Sequence, residues 1–378
     1  MGDIMIISRT PFRISFFGGG TDYPAWYRKH GGAVLATTID KYCYINCRHL
    51  PPFFEHKYCI IYSKMEYCHT LEEIAHPAVR EVVRFLNYDR GLEIHHDGDL
   101  PARSGMGSSS AFTVGLLHAL YALKGQMVSK RQLALESIHI EQDILKETVG
   151  SQDQALAAYG GLNHISFLPN GDISVRPVTI SSERVADLNS HMMLFYSGIK
   201  RTASNIADSF VGNIEDRKRQ LRIMKDLVDE SISILNSAQD ISGFGDLMHE
   251  AWQFKRSLSS TVSNSQVDEL YEQAMSAGAL GGKLTGAGGG GFMLLFVPPS
   301  KQKTVREKLN KLIYVPFKFE FSGTQIIFYD DEQDYLAEEK ARAKQTIKPF
   351  QELEQALMQD TSLGKKVSKV DDSDTHGG

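Results

Sequence analysis

The fold is decided by the stretch Pro101-Ala-Arg-Ser-Gly-Met-Gly-Ser-Ser-Ser-Ala111, which an apolar run from Phe112 to Lys124 follows directly. Proline, then glycines, then hydroxyls, then apolar residues at helical spacing predict a loop, a helix start and a buried helix. Gly105 and Gly107 allow a tight turn that brings backbone N–H groups close to a ligand. We expect one of the serines Ser108 to Ser110 to cap the helix. A phosphate chain is the natural ligand of such a helix start.

The same loop also fits a purely structural interpretation, in which a glycine turn precedes a capped core helix. It lacks the Gly-x-x-x-x-Gly-Lys-Ser/Thr pattern of a Walker loop, and the dinucleotide pattern Gly-x-Gly-x-x-Gly is missing as well. The remainder of the chain has to separate the two interpretations.

The bulk composition is that of a soluble globular protein. The 378-residue chain has 42% hydrophobic and 23% charged residues. A formal net charge of -5 gives no general attraction to nucleic acid or to an anionic membrane. No apolar run reaches the length of a membrane span, and the N-terminus does not resemble a signal peptide. We therefore expect a cytoplasmic monomer or homodimer with small-molecule partners.

A second glycine-rich segment lies near the start of the chain, in Phe16-Phe-Gly-Gly-Gly-Thr-Asp-Tyr-Pro24. It predicts a sharp turn followed by a short helix that begins at Pro24. In a structural interpretation Asp22 merely caps that helix. In a functional interpretation Gly18 to Gly20 make room for a substrate, Asp22 accepts hydrogen bonds from its hydroxyls, and Arg13 places a cation nearby. This segment taken alone favours the structural interpretation.

Two carboxylates follow the central helix. Glu141 lies near the C-terminal end of a helix predicted over 130–145, where the helix dipole disfavours negative charge. Either a bound cation or a surface salt bridge to Lys146 would compensate. Asp153 lies in the first turn of the next short helix, where acidic residues are common. A carboxylate anchored there could also accept a proton from a substrate hydroxyl.

The last glycine cluster is Gly281-Gly-Lys-Leu-Thr-Gly-Ala-Gly-Gly-Gly-Gly-Phe292, and it runs straight into an apolar strand. So many glycines would lose much conformational entropy on folding if they served structure alone. Two closing strands are predicted further on, over 314–321 and 324–329. Together with the preceding long helices they indicate a small sheet with helices on one side, and hence an α+β fold.

The composition also suggests how the chain divides. It changes near residue 185 from short strands to long helices, so we expect a first domain over 1–185 and a second over 186–330. The highly charged segment 331–378 is expected to be a tail, helical at first and then disordered.

Three segments resemble, in their order and separation, the motifs of the GHMP small-molecule kinases: Arg9–Trp26, Pro101–Ala111 and Lys283–Phe292. Within that superfamily the sequence is most similar to the D-glycero-D-manno-heptose phosphate kinases, which supply activated heptose for surface glycans. The resemblance implies an N-terminal domain of the ribosomal-protein-S5-like kind and a ferredoxin-like C-terminal domain. It places the active site between them.

The resemblance also implies a role for each matching residue, with ATP and Mg²⁺ as cofactors. Asp153 would be the catalytic base or orienter and Arg13 the catalytic arginine. The metal ligands would be Glu141 with Ser108 or Ser109. The sugar would contact Gly18, Gly19, Gly20 and Asp22. The residues expected to bind ATP are Gly105, Met106, Gly107, Ser108, Ser109, Ser110, Lys283, Gly286, Gly288 and Gly289.

The differences between this chain and other GHMP kinases indicate which acceptor it uses. Gly19 and Gly20 stand where galactokinases have Glu-His, which removes two sugar contacts, opens space and argues against galactose. Mevalonate and homoserine kinases lack the Thr-Asp-Tyr sugar element. The reaction that the resemblance implies is ATP-dependent phosphorylation of the anomeric hydroxyl of D-glycero-D-manno-heptose 7-phosphate, giving the 1,7-bisphosphate.

A phosphorylated sugar needs cations of its own. Residue type and position before a helix suggest Lys200 and Arg201 with Thr202 and Ser204, and more weakly Arg48 and Arg103. Three alternatives stay open at this point. The acceptor could be an unphosphorylated sugar of the fucose, arabinose or galactose type, the protein could be a non-catalytic sugar or ATP sensor, or the glycine loops could be scaffolding.

Overall fold

The computed structural model describes residues 3–51, 54–102, 104–199, 211–212, 214–258, 262–286 and 288–332. The strands in these residues are β1 (Asp3–Phe17), β2 (Gly32–His49), β3 (Tyr58–Ile61), β4 (Met65–Cys68), β5 (Leu92–Gly98), β6 (Asn163–Phe167), β7 (Ile173–Pro177), β8 (Met192–Tyr196), β9 (Gly281–Leu284), β10 (Phe292–Phe296), β11 (Ile313–Val315), β12 (Phe319–Glu320) and β13 (Gln325–Glu332). The helices are α1 (Pro24–His30), α2 (Pro77–Phe85), α3 (Ser108–Leu123), α4 (Lys130–Ile138), α5 (Gln152–Tyr159), α6 (Ser182–Ser190), α7 (Lys218–Asn236), α8 (Ser242–Leu258), α9 (Ser265–Ser276) and α10 (Gln302–Lys308).

Two sheets organise these elements. The larger sheet runs β13-β1-β2-β5-β3-β4, with β6 and β12 also paired to β2, and with β7 paired to β6. The smaller sheet runs β11-β8-β10-β9 and is antiparallel throughout. The fold is therefore α+β, as the sequence predicts. No helix in the described ranges is both long enough and apolar enough to cross a membrane.

Helix α3 is the centre of the larger layer. It is apolar on nearly every side, and its residues from Ser110 to Leu117 are all buried. A helix that is hydrophobic all round belongs in a core, and α3 packs on β1 and β2 of the larger sheet. Burial of this helix fixes its first turn, and with it the loop before it, against the strand that carries Arg13.

Strands β1 and β2 are each one long continuous strand. The two halves of β2 have different partners besides β1. Residues 32–36 pair with β6, and residues 43–49 pair with β5. Register shifts between Pro11 and Arg13 and between Ser15 and Phe17 interrupt the ladder that β1 forms with β2. Such bulges re-aim side chains, and here they flank Arg13.

The chain returns to the larger sheet at its end. Only β11 joins the smaller sheet, whereas β12 pairs with β2 and β13 pairs with the outer edge of β1. The expectation that both closing strands complete the small sheet is therefore wrong, because β13 completes an otherwise open edge of β1. The boundaries at 185 and 330 stay predictions, and the predicted tail beyond Glu332 lies outside the described residues.

Candidate active site

The centre of the site is an ion pair between β1 and the first turn of α5. Arg13 donates from Nε to Asp153 Oδ1 at 2.6 Å and from Nη2 to Oδ2 at 2.7 Å. Its Nη1 donates to the carbonyl of Gly105 at 2.7 Å, and its backbone N–H donates to that of Met106 at 3.0 Å. A bidentate pair of this kind is strong and fixed in orientation. One arginine thus holds a strand, a loop and a helix in register.

The glycine loop before α3 lies against this ion pair. Gly105 and Gly107 both have positive φ, of 86° and 75°, where glycine is strongly favoured. Gly107 is also the N-cap of α3, so the prediction that a serine caps the helix is wrong. A Cβ on Gly107 would lie 3.0 Å from Arg13 Cγ and 3.4 Å from Asp153 Oδ2. The helix start therefore faces the carboxylate of Asp153 directly.

The other carboxylate, Glu141, is completely buried one element away. The helix predicted over 130–145 ends at Ile138, and a π-helical turn over His139–Ile144 carries Glu141 inward. Such π turns are frequent at functional sites. Because Glu141 has no exposed surface, the surface salt bridge to Lys146 is excluded. The loss of this alternative favours the interpretation that Glu141 binds a cation.

The hydrogen bonds of Glu141 all fall on one of its two oxygens. Ser110 Oγ donates to Oε2 at 2.9 Å, and Gln154 Nε2 donates to the same atom. Oε1 is buried and has no hydrogen-bond partner among the described residues. Burial raises the pKa of Glu141 to about 7. A hard oxygen without a partner fits Mg²⁺, which binds through one or two carboxylates plus substrate phosphates.

The serine predictions need one correction at this point. Ser110, placed by the resemblance among the ATP-binding residues, is the serine that bonds to Glu141. Ser109 is exposed and Ser108 is half-buried at the start of α3. The assignment of Ser108 or Ser109 as a metal ligand stays a prediction.

Asp22 contributes a buried carboxylate at the turn before α1. Its Oδ1 accepts a hydrogen bond from the N–H of Gly20 at 2.9 Å, and its carbonyl accepts one from the N–H of Ser151. The N-cap of α1 is Tyr23, without a side-chain cap, so the structural interpretation of Asp22 as a helix cap is wrong. Burial, aided by the nearby charge of Asp153, raises the pKa of Asp22.

The three glycines before Asp22 are not equivalent. Gly18 has a φ of 81°, and a Cβ there would lie 1.9 Å from the carbonyl oxygen of Ala33. Gly20 also has positive φ. Gly19 does not, and a Cβ there would make only ordinary contacts, 3.6 Å from Ser15 Oγ and 3.9 Å from Gln152 Nε2. The turn therefore requires Gly18 for its shape, whereas Gly19 leaves space.

The glycine cluster before β10 is packed against other backbone segments. A Cβ on Gly288, Gly290 or Gly291 would lie within 2.6 Å of a carbonyl oxygen, the nearest being Ser104 O at 2.3 Å from Gly291. The N–H of Gly289 donates to Val262 O at 2.9 Å. The N–H of Gly289 is therefore already used within the protein, and the expectation that Gly289 binds ATP stays a prediction. Roles of Gly286 and Gly288 toward ATP stay predictions.

Lys283 ties the two sheets together. It lies on β9, is 5% exposed, and donates from Nζ to the carbonyl of Phe16 at 2.9 Å. Burial, with the positive charges of Lys255 and Arg13 nearby, lowers its pKa well below the usual range. Its contact lies two residues before the Gly18 turn. An effect of Lys283 on phosphate charge stays a prediction.

Of the residues predicted to bind a sugar phosphate, the structure describes only one. Lys200, Arg201, Thr202, Ser204 and Arg103 lie outside the described residues. Arg48 pairs with Glu93 at 2.8 Å. It stands about 30 Å further along β2 than Thr38, the residue opposite Arg13, at roughly 3.3 Å per residue. Arg48 therefore does not belong to this site.

Two family models match this chain. Residues 73–161 match the N-terminal domain of the GHMP kinases, and residues 223–315 match their C-terminal domain. The chain belongs to the GHMP kinases. This GHMP kinase is 29% identical over 320 residues to the D-glycero-alpha-D-manno-heptose 7-phosphate kinase of Campylobacter jejuni, across 81% of this chain and 93% of that one. Because its relatives are kinases, the protein is a phosphotransferase.

Solved structures share the two-domain fold of this GHMP kinase. A D-glycero-D-manno-heptose 1-phosphate kinase from Bacteriodes thetaiotaomicron superposes with a TM-score of 0.70 at 24% identity, covering 85% of this chain and 98% of that one. The galactokinase of Lactococcus lactis, complexed with galactose, gives 0.68 at 17% identity, with 85% and 95% covered. At these identities the likeness shows the fold.

Sequence reasoning missed several polar residues of this GHMP kinase site. Ser15 stands two residues from Arg13 on β1, and strand alternation could have placed both on one face. Gln152 and Gln154 flank Asp153, and both are buried. Their composition gave no sign of this burial, because glutamine is mostly a surface residue. A buried glutamine pair around a carboxylate is a signal that only the packing reveals.

Proposed function

We propose that this GHMP kinase transfers the γ-phosphoryl group of ATP to the anomeric hydroxyl of D-glycero-D-manno-heptose 7-phosphate, giving the 1,7-bisphosphate. The observation that carries the proposal is the Arg13–Asp153 pair, set between the start of α3 and the Gly18–Asp22 turn. The Campylobacter jejuni relative, whose name states the same acceptor, supports the choice of sugar. We place the enzyme in the cytoplasm, where it would serve the synthesis of activated heptose for surface glycans.

The reaction is a direct phosphoryl transfer. The hydroxyl oxygen bonds to the γ-phosphorus, the bond from that phosphorus to the β–γ bridging oxygen breaks, and ADP leaves. Asp153 accepts the hydroxyl proton, while Arg13 holds its carboxylate in place and offsets its charge. Little covalent help is needed in such a transfer, so positioning and charge neutralisation supply most of the rate. Fixing the acceptor hydroxyl against Asp153 is the main task of the site.

The nucleotide would be held at the start of α3. The loop from Gly105 to Gly107 and the amides of Ser108 to Ser110 would surround the phosphates, where the helix dipole favours negative charge. Glu141, with Ser108 or Ser109, would hold Mg²⁺. When bound, Mg²⁺ supplies positive charge that offsets the charge of the phosphates. The buried Oε1 of Glu141 fits this use, because it has no other partner among the described residues.

The test is an acceptor panel with the full chain, ATP and Mg²⁺. We expect heptose 7-phosphate to give the highest kcat/KM, and phosphorus NMR to show a new phosphate on the anomeric carbon. Heptose, fucose, arabinose and galactose serve as unphosphorylated comparisons. Preference for one of these would overturn the proposed acceptor. Tight ATP binding without transfer to any sugar would instead identify a sensor.

A second candidate is a kinase for an unphosphorylated sugar, and one observation favours it. Three described cations lie beside the Gly18–Asp22 turn, Arg13, Lys255 and Lys283, and all three are bonded to protein groups. The sugar phosphate would then depend on Lys200 and Arg201. If the first candidate holds, Arg201→Ala raises the KM for heptose 7-phosphate far more than the KM for ATP. An unchanged KM for the sugar phosphate would favour the second.

A further inference from the structure

Ser15, Gly19 and Gln152 come together beside the Gly18–Asp22 turn, and we call the space at the side-chain position of Gly19 the Gly19 hollow. The site of a Cβ on Gly19 is 3.6 Å from Ser15 Oγ and 3.9 Å from Gln152 Nε2, so three separate elements meet there. Ser15 stands on β1 two residues from Arg13, and Gln152 precedes Asp153 on α5. The hollow therefore adjoins the ion pair at the centre of the site.

Two of the residues around this hollow carry buried polar atoms without partners among the described residues. Ser15 and Gln152 are each 8% exposed, and Ser15 Oγ and Gln152 Oε1 have no hydrogen-bond partner among the described residues. Buried polar atoms in folded proteins almost always have a partner, either in the protein, in water or in a ligand. These two atoms belong to different elements that also carry Arg13 and Asp153. Their position indicates that a ligand supplies their missing hydrogen bonds.

The charges around the hollow decide what kind of ligand it takes. Asp22 is buried, hydrogen bonds with Gln152, and interacts with the charge of Asp153. Asp22 and the amide oxygen of Gln152 are hydrogen-bond acceptors, and an ionised phosphate has no donor to offer them. The ligand groups that match are hydroxyls, which donate to these acceptors and accept from the nitrogen of an amide. A phosphate does not match.

We propose that the Gly19 hollow is the subsite that binds hydroxyl groups of the sugar acceptor, with Ser15 and Gln152 as its specificity-determining residues. The phosphate of the acceptor points away from it. This inference rests on the proposed function, and it deepens that function by assigning hydroxyl recognition to residues outside the Gly18–Asp22 motif. Gly19 keeps the hollow open because it carries no side chain.

Gly19→Ala is the direct probe, because the backbone at Gly19 is not left-handed and the added methyl meets only ordinary contacts. We expect a rise of about tenfold or more in the KM for the sugar, with little change in the KM for ATP or in Tm. Gly243→Ala is the matched control. That glycine, on α8, also lacks positive φ, and its Cβ would meet only Ile234 at 3.9 Å.

Ser15→Ala separates recognition from structure. If Ser15 is only structural, loss of an unpartnered hydroxyl leaves the sugar KM unchanged and Tm equal or higher. If Ser15 reads the sugar, the sugar KM rises while Tm holds. Monodeoxy acceptors sharpen the result. The hydroxyl bound by Ser15 is the one whose removal harms the wild type but not Ser15→Ala.

Sugar binding measured by calorimetry without ATP keeps this inference separate from the proposed reaction. A sugar phosphate that binds the wild type and not Gly19→Ala supports the hollow even if no transfer follows. Equal binding by both proteins, or an unchanged sugar KM in both Gly19→Ala and Ser15→Ala, overturns it. Failure of the wild type to phosphorylate any sugar contradicts the proposed function alone.

Discussion

Asp153 and Glu141 stand on neighbouring elements and have opposite surroundings. Both oxygens of Asp153 accept from Arg13, and its side chain is 24% exposed. Glu141 is fully buried, both donors fall on Oε2, and Oε1 has no partner among the described residues. The charge of Asp153 is thus balanced within the protein. Glu141 instead has a buried oxygen that the described part of the chain leaves unsatisfied, and we therefore propose different roles for the two carboxylates.

The largest effect is expected from Asp153→Asn. The amide keeps the size of the side chain but neither accepts a proton nor balances Arg13. We expect kcat to fall by about 10²–10⁴-fold, the range for loss of a general base. Steady-state kinetics with heptose 7-phosphate measure this. Stabilisation by Mg²⁺ and ATP should persist, because Glu141 is untouched.

Thermal unfolding is the control for Asp153→Asn, because a buried arginine that loses its partner also destabilises the fold. Asp172→Asn, at an exposed turn, provides a matched change of charge. A kcat within a few-fold of the wild type would remove Asp153 from the chemistry. It would leave the ion pair as a structural tie.

The next largest effect is expected from Glu141→Gln, and it concerns metal affinity rather than kcat. The amide can still accept from Ser110 and Gln154, but it cannot pair with a cation as a charge. Metal affinity should fall by about 10–100-fold, the scale seen when groups around a metal are altered. Without Mg²⁺ the variant should be as stable as the wild type or more so, since an uncompensated buried charge is removed. Retention of the full Mg²⁺ stabilisation would show that Glu141 is not a ligand.

The pH dependence of stability distinguishes the carboxylates further. Burial raises the pKa of Glu141 in the folded state to about 7, from an ordinary value of 4.5. A raised folded pKa gives stability that is complete below the unfolded value and is lost as pH rises through the folded one. Without Mg²⁺ the wild type should therefore lose roughly 3 kcal/mol relative to Glu141→Gln between pH 4.5 and 7.

Denaturant titrations of both proteins from pH 5 to 8 measure this difference. Mg²⁺ binds the ionised form, so the stabilisation that it gives should grow as pH rises toward 7 and level off above it. A difference between the two proteins that does not vary with pH would mean that Glu141 titrates normally, and the contrast with Asp153 would fail.

The sequence identifies the candidate site residues better than it identifies the hydrogen bonds that they make. The resemblance to the GHMP kinases nominates Arg13, Asp153, Glu141 and the loop before α3, and the structure pairs Arg13 with Asp153 beside that loop. Which serine contacts Glu141 depends on a π-helical turn, and helical periodicity alone does not predict one. The N–H of Gly289 donates to Val262, a long-range contact that the local glycine pattern does not reveal. Local pattern therefore predicted the groups, and packing decided how each is used.

The pairing of β12 and β13 with the larger sheet could not be predicted from the sequence for a similar reason. Both strands follow the small sheet in sequence, and strands next to each other along the chain usually pair. Their alternation is the same in either sheet. The open edge of β1 selects the pairing of β13, and β12 pairs instead with β2; both partner strands belong to the first half of the chain.

The smallest expected effect tests the hydrogen bond that distinguishes Ser110 from its neighbours. Ser110 donates to the ionised form of Glu141, so it lowers the pKa of that carboxyl against the larger effect of burial. Loss of one such bond is worth about 0.5–1.5 kcal/mol, or roughly half to one pH unit. In Ser110→Ala the midpoint of the pH-dependent Mg²⁺ stabilisation should move upward by that amount. Ser137→Ala, another buried serine, should not move it. A midpoint that stays in place or moves down would show that Ser110 does not set the protonation of Glu141.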